Sequence, residues 1–140
     1  MAIVFAVAVG GALGACARVA VAQVFPWHPP GFPWATFTVN VVGAAAIGVV
    51  SVLTQAHRDV HPLTRPFWAT GVLGGFTTFS AFAVDAVRLT DDGARAVATA
   101  YLVATVAVGL VVVRLGATLT RVATHGPPGR QPLPVPDEEA

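Results

Sequence analysis

The sequence predicts an all-α membrane protein with four transmembrane helices, the third of them broken. Of the 140 residues, 55% are apolar and only 11% are charged, whereas about a quarter of the residues in a typical soluble domain are charged. Four apolar stretches each approach the roughly 20 residues that a helix needs to cross the bilayer core. The third stretch contains the run GVLGGFTTFSAF at residues 71–82, where glycines and hydroxyl residues interrupt the helical pattern.

The four predicted segments cover residues 2–24, 34–54, 66–87 and 94–119. The first has one charge, Arg18, near its C-terminal end, and the second has none. The linker between them holds four prolines and predicts a short rigid loop. Residues 1–123 are therefore expected to form one transmembrane domain. Residues 124–140, with five prolines and an acidic run, have little to bury and are predicted to form a disordered tail.

Charge and cysteine content exclude several functions. The formal net charge is +1, without the clustered basic face of a nucleic-acid binder. The single cysteine, Cys16, allows neither an intramolecular disulfide nor a cysteine-based metal cluster. No serine–histidine–aspartate pattern or phosphate-binding loop is present, so the chain is not expected to be an enzyme. Basic residues flank the segments at both ends, so neither side of the membrane has a clear excess of positive charge. Such a weak positive-inside bias is typical of insertion in both orientations.

Small residues recur at the spacing of closely packed membrane helices. Gly10 with Gly14, and Gly71 with Gly75, are each four positions apart, which lets two helix backbones approach one another in lipid. Four thin, tightly packed helices leave little room for an internal pore. Transport would therefore require a homodimer or a heterodimer.

The break in the third segment indicates an ion site. Within hydrocarbon, a backbone that leaves helical geometry persists only where protein buries it or where it lines a cavity for water or ions. Here the break is flanked by Thr77, Thr78, Ser80 and phenylalanines. Phe79 and Phe82 are three positions apart and project side by side from a helix. Their positively polarised ring edges favour an anion, although core or lipid packing is the commoner role of such a pair.

Other polar residues within the segments have two interpretations each. Asn40 lies in the charge-free second segment, where its amide serves either an ion or a structural hydrogen bond between helices. Tyr101 and Thr105 share one face of the fourth segment and offer hydroxyl donors, or bond their own backbone one turn back. Arg18 and Asp85 lie near segment ends, where they reach the headgroups or line a vestibule that attracts ions.

Taken together, these motifs resemble the fluoride channels of the Fluc, or CrcB, family. The resemblance covers nearly all of residues 4–120 and rests on GGALGACAR at 10–18, TVNVVG at 38–43, GGFTTFS at 74–80 and then Tyr101. It implies an antiparallel, dual-topology dimer in the plasma membrane, with two fluoride pores and a central sodium ion. Such a dimer exports cytoplasmic fluoride passively.

The resemblance also implies a role for each site residue. Backbone carbonyls of Gly74 and Thr77 would hold the sodium ion, and Arg18 and Asp85 would line the pore vestibules. The expected fluoride pore comprises Asn40, Thr78, Phe79, Ser80, Phe82, Tyr101 and Thr105.

Two departures from the family pattern leave an alternative open. Ala81 stands where the family often has threonine, and Gly109 stands where it often has serine, so two hydroxyls that would solvate an ion are absent. The chain could therefore be a partly degenerate, non-conducting subunit of a heterodimer with a paralogue. A proton-coupled small multidrug transporter is less favoured, because that mechanism needs a carboxylate within the membrane and the first two segments contain none.

Overall fold

The structure, a computed structural model, describes residues 1–56 and 61–125. All regular structure in this part of the chain is helical: α1 (Ala2–Val24), α2 (Trp34–Ala56), a π-helix (Pro66–Leu73), α3 (Gly74–Phe76), α4 (Phe79–Asp91) and α5 (Arg95–His125). Four spans are long and apolar enough to cross a membrane: Ala2–Val24, Trp34–Gln55, Pro66–Asp91 and Arg95–Thr124. The prediction of an all-helical chain with four such segments is confirmed.

Helix α5 is longer than its apolar pattern predicts. It continues to His125, six residues past the predicted end of the segment and two residues into the predicted tail. The remaining predicted tail residues, 126–140, lie outside the described part of the chain. The extension reflects the fact that a helix needs apolar side chains only within the hydrocarbon core, and its polar last turns extend into the headgroup region.

Local sequence signals explain where several helices begin and end. Pro66 stands in the first turn of the π-helix, where its missing N–H costs no hydrogen bond. Helix α4 ends in a turn centred on Gly93, whose φ is +78°. The Gly93 N–H bonds the Thr90 carbonyl at 3.1 Å, and the Ala94 N–H bonds the Leu89 carbonyl at 2.8 Å. This is the hydrogen-bond pattern of a Schellman motif, which favours glycine at the left-handed position.

Helix α1 packs against the π-helix and α3 through glycines. A Cβ on Gly10 would lie 2.6 Å from the Phe67 carbonyl oxygen, and one on Gly14 would lie 2.7 Å from the Phe76 backbone nitrogen. A Cβ on Gly75 would collide with the Gly11 carbonyl oxygen. These backbones therefore touch without intervening side chains, as the glycine spacing predicts.

Helices α2 and α5 form the second closely packed pair. A Cβ on Gly116 would lie 2.6 Å from the Ala45 carbonyl oxygen, and one on Gly48 would collide with the Val113 carbonyl oxygen. The two pairs contact one another directly, through α2 with α1 and with the π-helix, and they are also joined where α4, which continues the third span, packs on α5. Buried Leu89 and Tyr101 lie at this junction, covered by aromatic side chains of the loop between α1 and α2.

Candidate functional site

The third membrane segment leaves helical geometry at two residues. Helix α3 ends at Phe76, and α4 begins at Phe79. Between them, Thr77 has φ −75° and ψ 158°, and Thr78 has φ −148° and ψ 121°, so both are extended. Two consecutive extended residues remove several helical hydrogen bonds, and the groups thus freed must find other partners within the membrane.

Asn40 of α2 supplies two of those partners. Its Nδ2 donates to the Thr78 carbonyl oxygen at 3.0 Å, and its Oδ1 accepts from the Thr78 N–H at 2.8 Å. One amide side chain thus satisfies both polar backbone groups of a buried extended residue. Of the two roles that the sequence allows for Asn40, the structural hydrogen bond between helices is therefore present. The amide nitrogen carries a second hydrogen, which stays available for another acceptor.

A side-chain cap begins the helix that follows the break. The Thr78 Oγ1 accepts from the Ala81 N–H at 3.1 Å, which is the usual bond of an N-capping threonine. The Ser80 Oγ lies 3.3 Å from the Thr78 Oγ1. Ser80 itself is exposed on the surface of the subunit, so the two hydroxyls link a buried position to an open one.

These bonds leave two backbone carbonyls without their helical donors. In a continuous helix, the Gly74 carbonyl would accept from the Thr78 N–H, and the Thr77 carbonyl from the Ala81 N–H. Both N–H groups are bonded elsewhere, to Asn40 and to Thr78 Oγ1. Gly74 is exposed, and a Cβ there would meet nothing within 4 Å. The predicted sodium ligands are therefore two carbonyls with free acceptor capacity.

The predicted pair of aromatic rings lies directly after the break. The ring centroids of Phe79 and Phe82 are 5.9 Å apart, with planes inclined at 46°. Phe79 is 80% exposed on the isolated subunit, whereas Phe82 is half-buried and packs on Tyr101 with a centroid distance of 5.2 Å. The two rings thus extend from the interior of the subunit to its surface.

Tyr101 and Asp85 lie in a buried polar cluster with Thr36, a residue that the sequence motifs did not single out as a site residue. The Thr36 Oγ1 donates to the Asp85 Oδ2 at 2.6 Å, and Asp85 is only 7% exposed. Thr36 and Asp85 are neighbours of the buried Tyr101 hydroxyl, but neither forms a hydrogen bond of acceptable geometry with it, and no other residue in the described part of the chain does so. A buried hydroxyl without a partner indicates a place where water or an ion binds. Thr36 lies four positions before Asn40 and therefore shares its face of α2. This spacing is the feature of the sequence that indicates Thr36 as a member of the polar cluster.

Thr105 bonds its own helix. Its hydroxyl donates to the Tyr101 carbonyl oxygen at 2.7 Å, which is the second of the two interpretations left open by the sequence. In this rotamer the hydroxyl proton is directed at the backbone and not at an anion. Thr105 is buried one turn after Tyr101, so it lies on the same face of α5 as Tyr101, as the sequence predicts.

A cavity of about 240 Å³ connects the predicted vestibule residue to the break. It is lined by Arg18, Val19, Ala22, Ala35, Thr36, Val39, Thr78 and Ala81. Among residues 1–56 and 61–125, Arg18 is the one charged residue in this lining. Ala81, one of the two departures from the family pattern, contributes a methyl group where a threonine would add a hydroxyl and fill part of the space. The cavity is large enough for several waters.

No cluster of three or more histidine, cysteine, aspartate or glutamate side chains suited to a metal ion occurs in residues 1–56 and 61–125. Hard cations prefer oxygen ligands, carbonyls among them. The donor set of Gly74 and Thr77 fits such a cation.

Fold and site together define a class: a multi-pass integral membrane protein whose third span carries a polar, extended interruption. The family model described as "CrcB-like protein, Camphor Resistance (CrcB)" matches residues 5–117. The chain belongs to this family, which is a non-enzymatic family of the bacterial plasma membrane.

Relatives with assigned functions agree with this membership. The chain is 53% identical over 103 residues to "Fluoride-specific ion channel FluC 2" of Streptomyces avermitilis, an alignment that covers 74% of the chain and 65% of that relative. It is 50% identical over 119 residues to "Fluoride-specific ion channel FluC 1" of Streptomyces coelicolor, covering 85% and 77%. It is 45% identical over 123 residues to "Fluoride-specific ion channel FluC 2" of Nocardia farcinica, covering 88% of both chains.

Proposed function

We infer that the chain is a fluoride channel that lets cytoplasmic fluoride leave the cell passively. The names of the relatives point to fluoride as the ion. The observation that carries the proposal is the extended pair Thr77–Thr78, held open by Asn40 between one half of the third span and the two phenylalanines. A membrane protein built only for packing has no need of such an interruption.

The anion path would run along weak donors. Partial positive charge lies on the second amide hydrogen of Asn40, on the hydroxyl hydrogen of Tyr101 and on the ring edges of Phe79 and Phe82. None of them is a full charge, so a bound fluoride is also able to leave, as conduction requires. A narrow path of this kind suits a small anion and compensates a larger one, such as chloride, poorly for its lost hydration.

One subunit does not complete this path. Phe79 is 80% exposed, and Gly74 lies open on the surface of the isolated chain. A second copy in antiparallel orientation would cover both and close the pores. The weak charge bias of the loops agrees with insertion in both orientations.

A sodium ion at the centre of this dimer would be held by the carbonyls of Gly74 and Thr77. When bound, it supplies a fixed positive charge beside the anion paths. The chain's own contribution is to direct the Thr78 and Ala81 N–H groups elsewhere, which frees these two carbonyls.

Export needs no coupled energy source. Fluoride enters a cell as its weak acid and dissociates inside, where the anion is trapped. An inside-negative potential favours anion exit by about 2.3 kcal/mol per 100 mV. Asp85 is a carboxylate buried near the path and is hydrogen-bonded to Thr36. Passive conduction requires no exchange of a proton at Asp85.

A cellular assay tests the proposal. Cells that lack their own fluoride export should survive in fluoride when they express this chain and should retain less fluoride in the cytoplasm. Cells that express the Phe79→Ile variant at the same membrane level should remain sensitive. Equal sensitivity with and without the wild-type chain, at confirmed membrane expression, would contradict a self-sufficient channel. If a paralogous subunit then restored resistance, the heterodimer alternative would replace the proposal.

A further inference from the structure

Helix α2 presents two adjacent features to the break, and only one of them is polar. Asn40 holds Thr78, and Gly43, three positions later on the same face, contacts Thr77. We propose that Gly43 is a positioning residue: the notch left by its missing side chain receives the Thr77 methyl group and thereby sets where the Thr77 carbonyl lies. This inference rests on the proposed function, in which that carbonyl is a sodium ligand.

The geometry of the notch is specific to the Thr77 methyl. Gly43 is buried, and a Cβ built on it would collide with Cγ2 of Thr77. The next nearest atoms, Cδ1 of Phe76 and Cβ of Thr77, would be 3.6 and 3.7 Å away, which are ordinary contacts. A single methyl group therefore decides whether a side chain fits at this position.

Thr77 has little freedom to yield to an added methyl. Its N–H and its Oγ1 both donate to the Leu73 carbonyl oxygen, at 3.0 and 2.9 Å. Rotation about χ1 that moved Cγ2 away would also move Oγ1 and break the second of these bonds. The next residue, Thr78, is fixed by both atoms of the Asn40 amide. Relief of the collision would therefore displace the Thr77 backbone, its carbonyl included.

The test combines a substitution with its structural suppressor. Gly43→Ala introduces the collision, and Thr77→Ser removes the one methyl that causes it while it keeps the hydroxyl that bonds Leu73. Gly11→Ala is the matched control, because its added Cβ would meet the Gly71 carbonyl oxygen only at 3.9 Å. Two quantities are measured on purified protein. One is the sodium-induced rise in the thermal unfolding midpoint, and the other is the sodium concentration that supports half-maximal fluoride efflux from liposomes.

We expect Gly43→Ala to need at least about fivefold more sodium in both measurements, because the added methyl group would displace the Thr77 carbonyl. The Gly43→Ala/Thr77→Ser protein should return to the sodium response of Thr77→Ser alone, and Gly11→Ala should resemble wild type. A wild-type sodium response in Gly43→Ala would overturn the inference. The inference would also be overturned if the Gly43→Ala/Thr77→Ser protein were as impaired as Gly43→Ala, either because it misfolds or because it does not respond to sodium. If the wild type conducts fluoride without any response to sodium, the proposed sodium site fails, and the inference fails with it.

Discussion

Removal of the Asn40 amide should close the break. In Asn40→Ala, Thr78 loses the partners of its N–H and carbonyl groups, at 2.8 and 3.0 Å. Interhelical hydrogen bonds in membranes contribute about 0.6 kcal/mol each, and a buried polar group left unpaired costs about 1–3 kcal/mol. In a continuous helix, the freed Thr78 N–H would bond the Gly74 carbonyl. The variant should therefore lose about 1–3 kcal/mol of the free energy that holds the extended conformation.

Since about 1.4 kcal/mol is a factor of ten in a rate or equilibrium constant, fluoride efflux from liposomes should fall by at least about fivefold. Thr38→Val is the matched control: Thr38 lies on the same helix, and its hydroxyl forms no hydrogen bond to residues 1–56 or 61–125. Efflux should be measured with a fluoride electrode at equal protein content. Wild-type efflux from Asn40→Ala would refute the argument that this amide keeps the third span open.

An isosteric variant separates the donor from the acceptor of the same side chain. Asn40→Asp keeps Oδ1 for the Thr78 N–H but places an oxygen where Nδ2 now donates to the Thr78 carbonyl. Two acceptors would then face one another at about 3 Å in a partly buried site, which is unfavourable. Asn40→Asp should therefore conduct no better than Asn40→Ala. Greater conduction would indicate that the bond to the Thr78 N–H suffices by itself.

Three further substitutions test packing and polar contacts. Gly14→Ala would force α1 away from the π-helix and should destabilise the protein by about 1–3 kcal/mol. Gly11→Ala, whose added Cβ makes no close contact, should change the unfolding midpoint little. Equal effects of the two substitutions would contradict the packing described. Thr36→Val removes the hydroxyl that donates to Asp85 at 2.6 Å and should cost about 1–3 kcal/mol, because it leaves a buried acceptor without its partner. An unchanged unfolding midpoint would show that water replaces the hydroxyl. Gly93→Ala places a side chain at φ +78° and should cost about 1 kcal/mol without altering ion flux; altered ion selectivity would contradict its purely structural role.

The sequence was sufficient to predict the four membrane helices, because apolar length alone decides whether a helix crosses the bilayer. The predicted first segment, residues 2–24, coincides with α1. Glycine spacing also predicted close packing, which the contacts of Gly10 and Gly14 with the π-helix confirm. Both signals depend on residues near one another in the chain.

Features that depend on distant residues could not be predicted. Nothing in the sequence near Asp85 shows that Thr36, 49 positions away, donates to it. The π-helical winding of Pro66–Leu73 has no composition signal of its own. Likewise, Gly43 resembles any packing glycine until the structure places it against Thr77. The residue pattern indicated an ion site, but only the fold shows which backbone groups are bonded and which are left with acceptor capacity.

The proposed function is tested most directly by anion efflux from liposomes that contain only this purified protein. Fluoride and chloride are loaded in parallel, and release is started by dissipating the membrane potential. A self-sufficient fluoride channel should release fluoride rapidly and retain chloride, and Phe79→Ile should abolish the fluoride release. Absence of fluoride release from well-folded wild-type protein, or equal release of the two anions, would contradict the account.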